Sequence, residues 1–128
     1  MYMRMDLLSL LAVVLLVAAC GGGGLGYDKP PASLDPASPK IAARDIAFDK
    51  SSLDMPASSP FILVFENQEN VGHNISIYRD AGFQTRVFEG AVFSGPATRW
   101  YPVPALSPGT YHFRCDVHPN MAGTLVAG

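Results

Sequence analysis

Charge of either sign is scarce in this chain of 128 residues. Lys and Arg number 9, Asp and Glu 11, and the formal net charge is -2. No basic field exists to hold nucleic-acid phosphates, so that class of partner is excluded. Cysteine is scarcer still. Two residues cannot build a disulfide framework, nor any site of three or four thiolates. The apolar segment Leu7 to Ala19 has 13 residues, short of the roughly 20 needed to span a bilayer. What is plentiful is turn-forming and aromatic: 12 Gly, 11 Pro, 7 Phe and 5 Tyr, a composition for short strands joined by turns.

Residues 1–20, MYMRMDLLSLLAVVLLVAAC, hold 17 apolar residues. With Arg4 as a thin positive region and a 13-residue apolar stretch, this reads as a secretory signal over 1–19 and not as part of the fold. Val17-Ala18-Ala19-Cys20 resembles the bacterial lipobox, in which small residues precede a cysteine that takes a thioether-linked lipid. Cys20 is then the lipidation site, and a Cys20–Cys115 disulfide is disfavoured because Cys20 lies in a cleaved or tethered segment. Residues 20–39 form a tether, with Gly21 to Gly24 floppy and the stretch containing Pro30, Pro31, Pro36 and Pro39 extended.

The domain is expected over 40–128. It shows no helical period, only short runs rich in β-branched and aromatic residues between turn signals. Strands are expected near Ile41–Phe48, Ser52–Met55, Phe61–Phe65, Asn74–Tyr78, Ala97–Val103, Gly109–Cys115 and Gly123–Ala127. About seven to eight such strands imply an all-β sandwich. Residues 79–95 read as a long crossover carrying one irregular strand or helical turn.

Strand parity sorts the three histidines. Along Tyr111-His112-Phe113-Arg114-Cys115, alternate side chains share a face, so burying Tyr111 and Phe113 buries Cys115 and turns His112 outward. Cys115, His118 and Met121 then lie within seven residues, at a strand end and in the loop beyond it. Thiolate, imidazole and thioether together favour copper, and His₂Cys with a weak axial Met describes a blue-copper site. The second imidazole falls to His73, the one histidine left. Singly, each donor has an ordinary alternative: an inert core thiol, a loop histidine, a surface histidine, a gap-filling methionine. Jointly, at this spacing, the alternatives lose, except that a neighbouring carbonyl or a water could take the axial place of Met121 without changing the fold.

The sequence resembles the cupredoxins, the blue-copper fold of plastocyanin, azurin and amicyanin, from Ile41 onward. Gly72-His73-Asn74 matches the first ligand motif, and Pro108 to Cys115 matches the strand leading to the copper cysteine. Cys115-x₂-His118-x₂-Met121 has the short spacing of amicyanin, and Gly123-Thr124-Leu125-Val126 matches the closing strand. The resemblance implies a Greek-key β-sandwich with one type 1 copper ion. His73, Cys115 and His118 would form its plane, with Met121 on its axis. It also implies that Asn74 points its backbone N–H toward the Cys115 sulfur and ties its side chain to the ligand loop near Asp116. His118 would offer an exposed ring edge among Gly72, Pro119, Asn120 and Ala122, a neutral face for brief encounters.

The expectation is a monomeric carrier of single electrons between redox proteins of the envelope. It would be extracytoplasmic, anchored through Cys20 to a bacterial-type membrane, and not an enzyme. The alternative is a copper-binding or copper-delivery protein without redox turnover.

Overall fold

The computed structural model describes residues 26–128, so the expected signal and Cys20 lie outside the described residues. Among the described residues nine strands make up the fold and no helix occurs. They are β1 (Lys40–Arg44), β2 (Ala47–Phe48), β3 (Ser52–Met55), β4 (Phe61–Asn67), β5 (Ser76–Tyr78), β6 (Arg86–Glu89), β7 (Ala97–Val103), β8 (Gly109–Cys115) and β9 (His118–Ala127). One sheet has the order β2-β1-β4-β7 and the other β3-β9-β8-β5-β6. β1 runs parallel to β4, and β3 parallel to β9. The remaining pairs are antiparallel. This is the expected all-β sandwich, with nine strands where about seven to eight were expected.

Period-two alternation builds the core between the sheets. Phe61, Leu63 and Phe65 point inward from β4, Tyr101 and Val103 from β7, Tyr111, Phe113 and Cys115 from β8, and Met121, Leu125 and Ala127 from β9. Gly123 completes the inward set on β9 for a steric reason. A Cβ there would lie 2.4 Å from Phe113 Cζ and 2.5 Å from the Ser51 carbonyl oxygen. The Phe113 ring occupies that space instead.

Several boundaries differ from the sequence reading: β4 runs on to Asn67 and β5 starts only at Ser76. The single strand expected over Ile41–Phe48 is broken at Asp45 and Ile46, both in left-handed backbone (φ 54° and 55°). The break turns Phe48 back so that its ring meets Phe65 at 6.1 Å and Phe113 at 5.5 Å. The last strand begins at His118, not Gly123, because it leaves β8 through a tight turn at Asp116-Val117. The crossover 79–95 carries one irregular strand as expected, β6, which pairs with β5 across a register shift.

Candidate metal centre

Two devices bring the donors together. On the β8–β9 hairpin, Cys115 pairs directly with His118 while Arg114 pairs with Ala122. Pro119, Asn120 and Met121 are therefore extra residues in β9 opposite a single step of β8, a bulge. The two-residue turn sets Cys115 beside His118, and the bulge returns Met121 to the buried side. The second device is the loop between β4 and β5. His73 bridges Phe93 through paired backbone hydrogen bonds, both 3.1 Å. Buried Asn67 holds this loop. Its amide donates to the Val71 carbonyl (2.7 Å) and the Phe93 carbonyl (2.9 Å), and its oxygen accepts from Glu69 N–H (3.1 Å).

Cys115 and His73 are wholly buried, and His118 is half-buried. Cys115 Sγ stands 3.7 Å from His73 Nδ1 and 3.7 Å from His118 Nδ1. Bonds of about 2.1 Å to nitrogen and 2.3 Å to sulfur, set 120° apart on one metal ion, would separate N from S by about 3.8 Å. The spacing thus fits a trigonal S, N, N set around a shared ion. The three donor atoms all lie within 4.8 Å of one another. Met121 is buried beside this set in sequence, three residues beyond His118. His112, expected outside, is half-buried on the opposite face of β8, against the edge of Phe83.

Glu69 was not found by sequence reasoning. Its Oε1 lies 2.5 Å from His73 Nε2 and also accepts from Ile46 N–H (3.0 Å), while Oε2 accepts from Asp45 N–H (3.1 Å). A carboxylate acceptor at Nε2 calls for the proton there, which leaves the Nδ1 lone pair facing the thiol. The His73 hydrogen bond, aided by the Ile46 N–H, holds the Glu69 carboxyl below the usual carboxylate range. The left-handed turn at Asp45-Ile46 has the same cause, since it aims two N–H groups at this carboxylate. No spacing rule marks a Glu four residues before a ligand in a polar loop.

Asp116 anchors the other ligand loop. Asp116 N–H donates to Asn74 Oδ1 (2.8 Å), and Asn74 Nδ2 donates back to Asp116 Oδ2 (2.9 Å). Ser76 Oγ and Tyr78 OH each donate to the same carboxylate at 2.5 Å, and Arg114 Nε stands 3.4 Å away. Burial alone would raise the Asp116 pKa. The donors Ser76, Tyr78, Asn74 and Arg114 outweigh it and hold the group below its ordinary value. Arg114 also lies over the rings of Tyr78 (5.0 Å) and Phe83 (4.7 Å). The tie between Asn74 and Asp116 matches the expectation. Ser76, Tyr78 and Arg114 extend it across β5 and β8.

The family model described as a cupredoxin-like domain matches residues 9–127. Among solved structures, one similar protein is auracyanin A, a "blue" copper protein from the green thermophilic photosynthetic bacterium Chloroflexus aurantiacus. It is 22% identical with a TM-score of 0.61, covering 71% of this chain and 98% of that one. Auracyanin from Roseiflexus castenholzii is 20% identical with a TM-score of 0.57, covering 75% of this chain and 99% of the other. Amicyanin from Paracoccus versutus is 17% identical with a TM-score of 0.58, covering 81% and 95%. No curated protein matches the sequence. His73, Cys115, His118 and Met121 make up a type 1 copper-like site.

Proposed function

Because this chain belongs to the cupredoxin-like domain family, we propose that it carries single electrons between redox proteins of the cell envelope. The observation that carries the reading is the buried Cys115 thiol with an imidazole Nδ1 at 3.7 Å on either side. Bound copper would supply a one-electron Cu(I)/Cu(II) couple. His73, Cys115 and His118 would hold it, with Met121 as a further, weak sulfur donor that tunes its potential.

The chain's own part is to keep those donors in place and dry. Glu69 fixes the His73 tautomer, Asn67 fixes its loop, and Asp116 ties the Cys115–His118 turn to β5. Donors held this firmly need little rearrangement between oxidation states. His118 is the least buried of the three histidine and cysteine donors, and Gly72, Pro119, Asn120 and Ala122 in the two ligand loops are uncharged. Val71 and Val117 are exposed, as are Pro119, Asn120 and Ala122. Such a surface suits a small, brief encounter with a partner. The protein acts as a carrier and not as a catalyst, as a monomer, held outside the cytoplasm by a lipid on Cys20.

Two measurements test the reading. The copper-loaded chain should give a reversible one-electron voltammetric wave and fast electron exchange between oxidised and reduced molecules. Copper delivery through the same ligands would instead appear as transfer of the metal to an acceptor, with sluggish exchange; that result would overturn the carrier reading. For the anchor, Cys20→Ala should release the protein from membranes, and unchanged retention would count against lipidation.

A further inference from the structure

The proline-rich segment ahead of β1 reads as free tether, yet residues 26–39 are folded onto the sandwich. Tyr27 forms an antiparallel bridge with Trp100: Tyr27 N–H donates to the Trp100 carbonyl (2.8 Å), and Trp100 N–H to the Tyr27 carbonyl (3.1 Å). β7 is the outermost strand of its sheet, so this bridge covers backbone groups that a free edge would leave unpaired. Gly26 sits in left-handed backbone (φ 60°), and a Cβ there would lie 2.8 Å from Tyr101 Cδ1. Beyond Tyr27 the chain is closed by two turns, Leu34 N–H to the Pro31 carbonyl and Ser38 N–H to the Asp35 carbonyl. Val64 N–H then bonds the Pro39 carbonyl at 2.9 Å. Pro30 and Leu34 line a groove with Val64 and Trp100. Val64 alternates with the inward Leu63 and Phe65, so it faces away from the core, yet it is only 9% exposed. The segment is a strap over the outer face of the sheet.

The bridge also fixes the direction from which the chain arrives. β7 starts at Ala97, paired with Asn67, the residue that holds the His73 loop, and ends at Val103, paired with Phe61. A strand antiparallel to β7 enters from the Val103 end. That is the end of the sandwich remote from the copper ligands. From Trp100 the metal end lies further off by at least three strand residues, about 10 Å.

We propose that this docked strap orients the anchored protein, so that the His118 side is turned away from the bilayer and toward partners whose redox centre stands above the membrane surface. The proposal rests on the reading of Cys20 as a lipid anchor. A free tether from Cys20 to Lys40 could extend about 70 Å and would let the domain present any face. With the strap docked, the six chain steps from Cys20 to Gly26 reach at most about 20 Å. The chain leaves the sandwich beside Tyr101, two residues from the Val103 end of β7, so this short leash weights the orientations toward that end facing the bilayer.

The experiment uses the full lipidated chain, copper-loaded, on vesicles carrying a nitroxide-labelled lipid headgroup. Trp100, the one tryptophan of the chain, reports strap docking by its emission, and amide exchange at Trp100 reports the bridge. Two variants release the strap. Gly26→Val strains the left-handed backbone and strikes Tyr101, and Tyr27→Pro removes the bridging N–H without touching Tyr101. Both should red-shift Trp100 emission and speed exchange of its amide about tenfold while the copper absorption stays unchanged. In the parent chain, pulsed electron spin resonance should find a copper-to-headgroup distribution weighted to long distances, and the variants should shift that weight to short ones. Equal Trp100 exchange in parent and variants would refute the docked strap. Strap release without a change in the distance distribution would refute the orientation. A parent chain that does not float with vesicles would overturn the anchor reading, and the orientation with it, while the Trp100 measurements still decide whether the strap is docked.

Discussion

Replacing Asp116 with Ala should loosen the ligand turn more than any other change outside the donors. Five side chains address this carboxylate: Asn74 at 2.9 Å, Ser76 and Tyr78 at 2.5 Å, Arg114 at 3.4 Å and Arg86 at 3.9 Å. Asn74 and Ser76 are buried, so the alanine leaves buried donors facing a void. Hydrogen bonds to a charged acceptor contribute about 1.5–3 kcal/mol each, and breaking a buried charged network by removing one partner costs about 3–5 kcal/mol. The Asp116 side chain keeps 21% of its exposure and Asn74 retains the Gly90 carbonyl at 2.9 Å, so the lower end, about 3 kcal/mol, is expected for the metal-free protein. For a domain of this size that lowers Tm by more than about 10 °C.

The deficit should shrink when copper is bound, because the metal itself then holds Cys115 to His118. The assay is urea denaturation of parent and variant, each with and without copper. The pH dependence has a defined sign. Asp116 is held below its ordinary pKa, so its contribution is complete above about pH 4 and is lost as pH falls through the lower folded value. Asp116→Asn should therefore flatten the acid limb of the stability curve. A loss below about 1 kcal/mol in metal-free Asp116→Ala would refute the reasoning. So would an acid limb unchanged in Asp116→Asn.

Glu69→Gln keeps the shape beside His73 but removes the carboxylate. Copper affinity in a competitive chelator titration should fall about 10–100-fold, with the absorption band retained. Asn67→Asp sets a buried carboxylate against the Val71 and Phe93 carbonyls, and equilibrium unfolding should show a loss of about 3 kcal/mol or more. Gly123→Ala places a methyl 2.4 Å from Phe113 Cζ, and the same assay should show a loss of about 1–3 kcal/mol.

Strand parity placed Cys115 inside because Tyr111 and Phe113 leave it no other face, and the spacing Cys115-x₂-His118 carried the donor set. Asn74 and Asp116 were reached only through the resemblance to cupredoxins, since nothing local links residues 42 positions apart. The break in Ile41–Phe48 was hidden for a physical reason. Ile46 is β-branched and does not signal a turn, a lone Asp45 is a weak signal, and their left-handed backbone is supported by Glu69, a residue 23 positions from Ile46. The start of β9 was hidden because Pro119 and Asn120 look like loop residues, whereas they occupy a bulge that only the pairing with β8 reveals. The strap was misleading in the same way. Proline content reports local stiffness, while docking depends on the free edge at Trp100.

The central claim, one type 1 copper held by His73, Cys115 and His118, is tested most directly by titrating the purified chain with Cu(II) while recording visible absorption. The account predicts an intense blue charge-transfer band that saturates at one equivalent and is absent in Cys115→Ser, with the fold of that variant intact by circular dichroism. A colourless titration, or a blue band that survives Cys115→Ser, would contradict it.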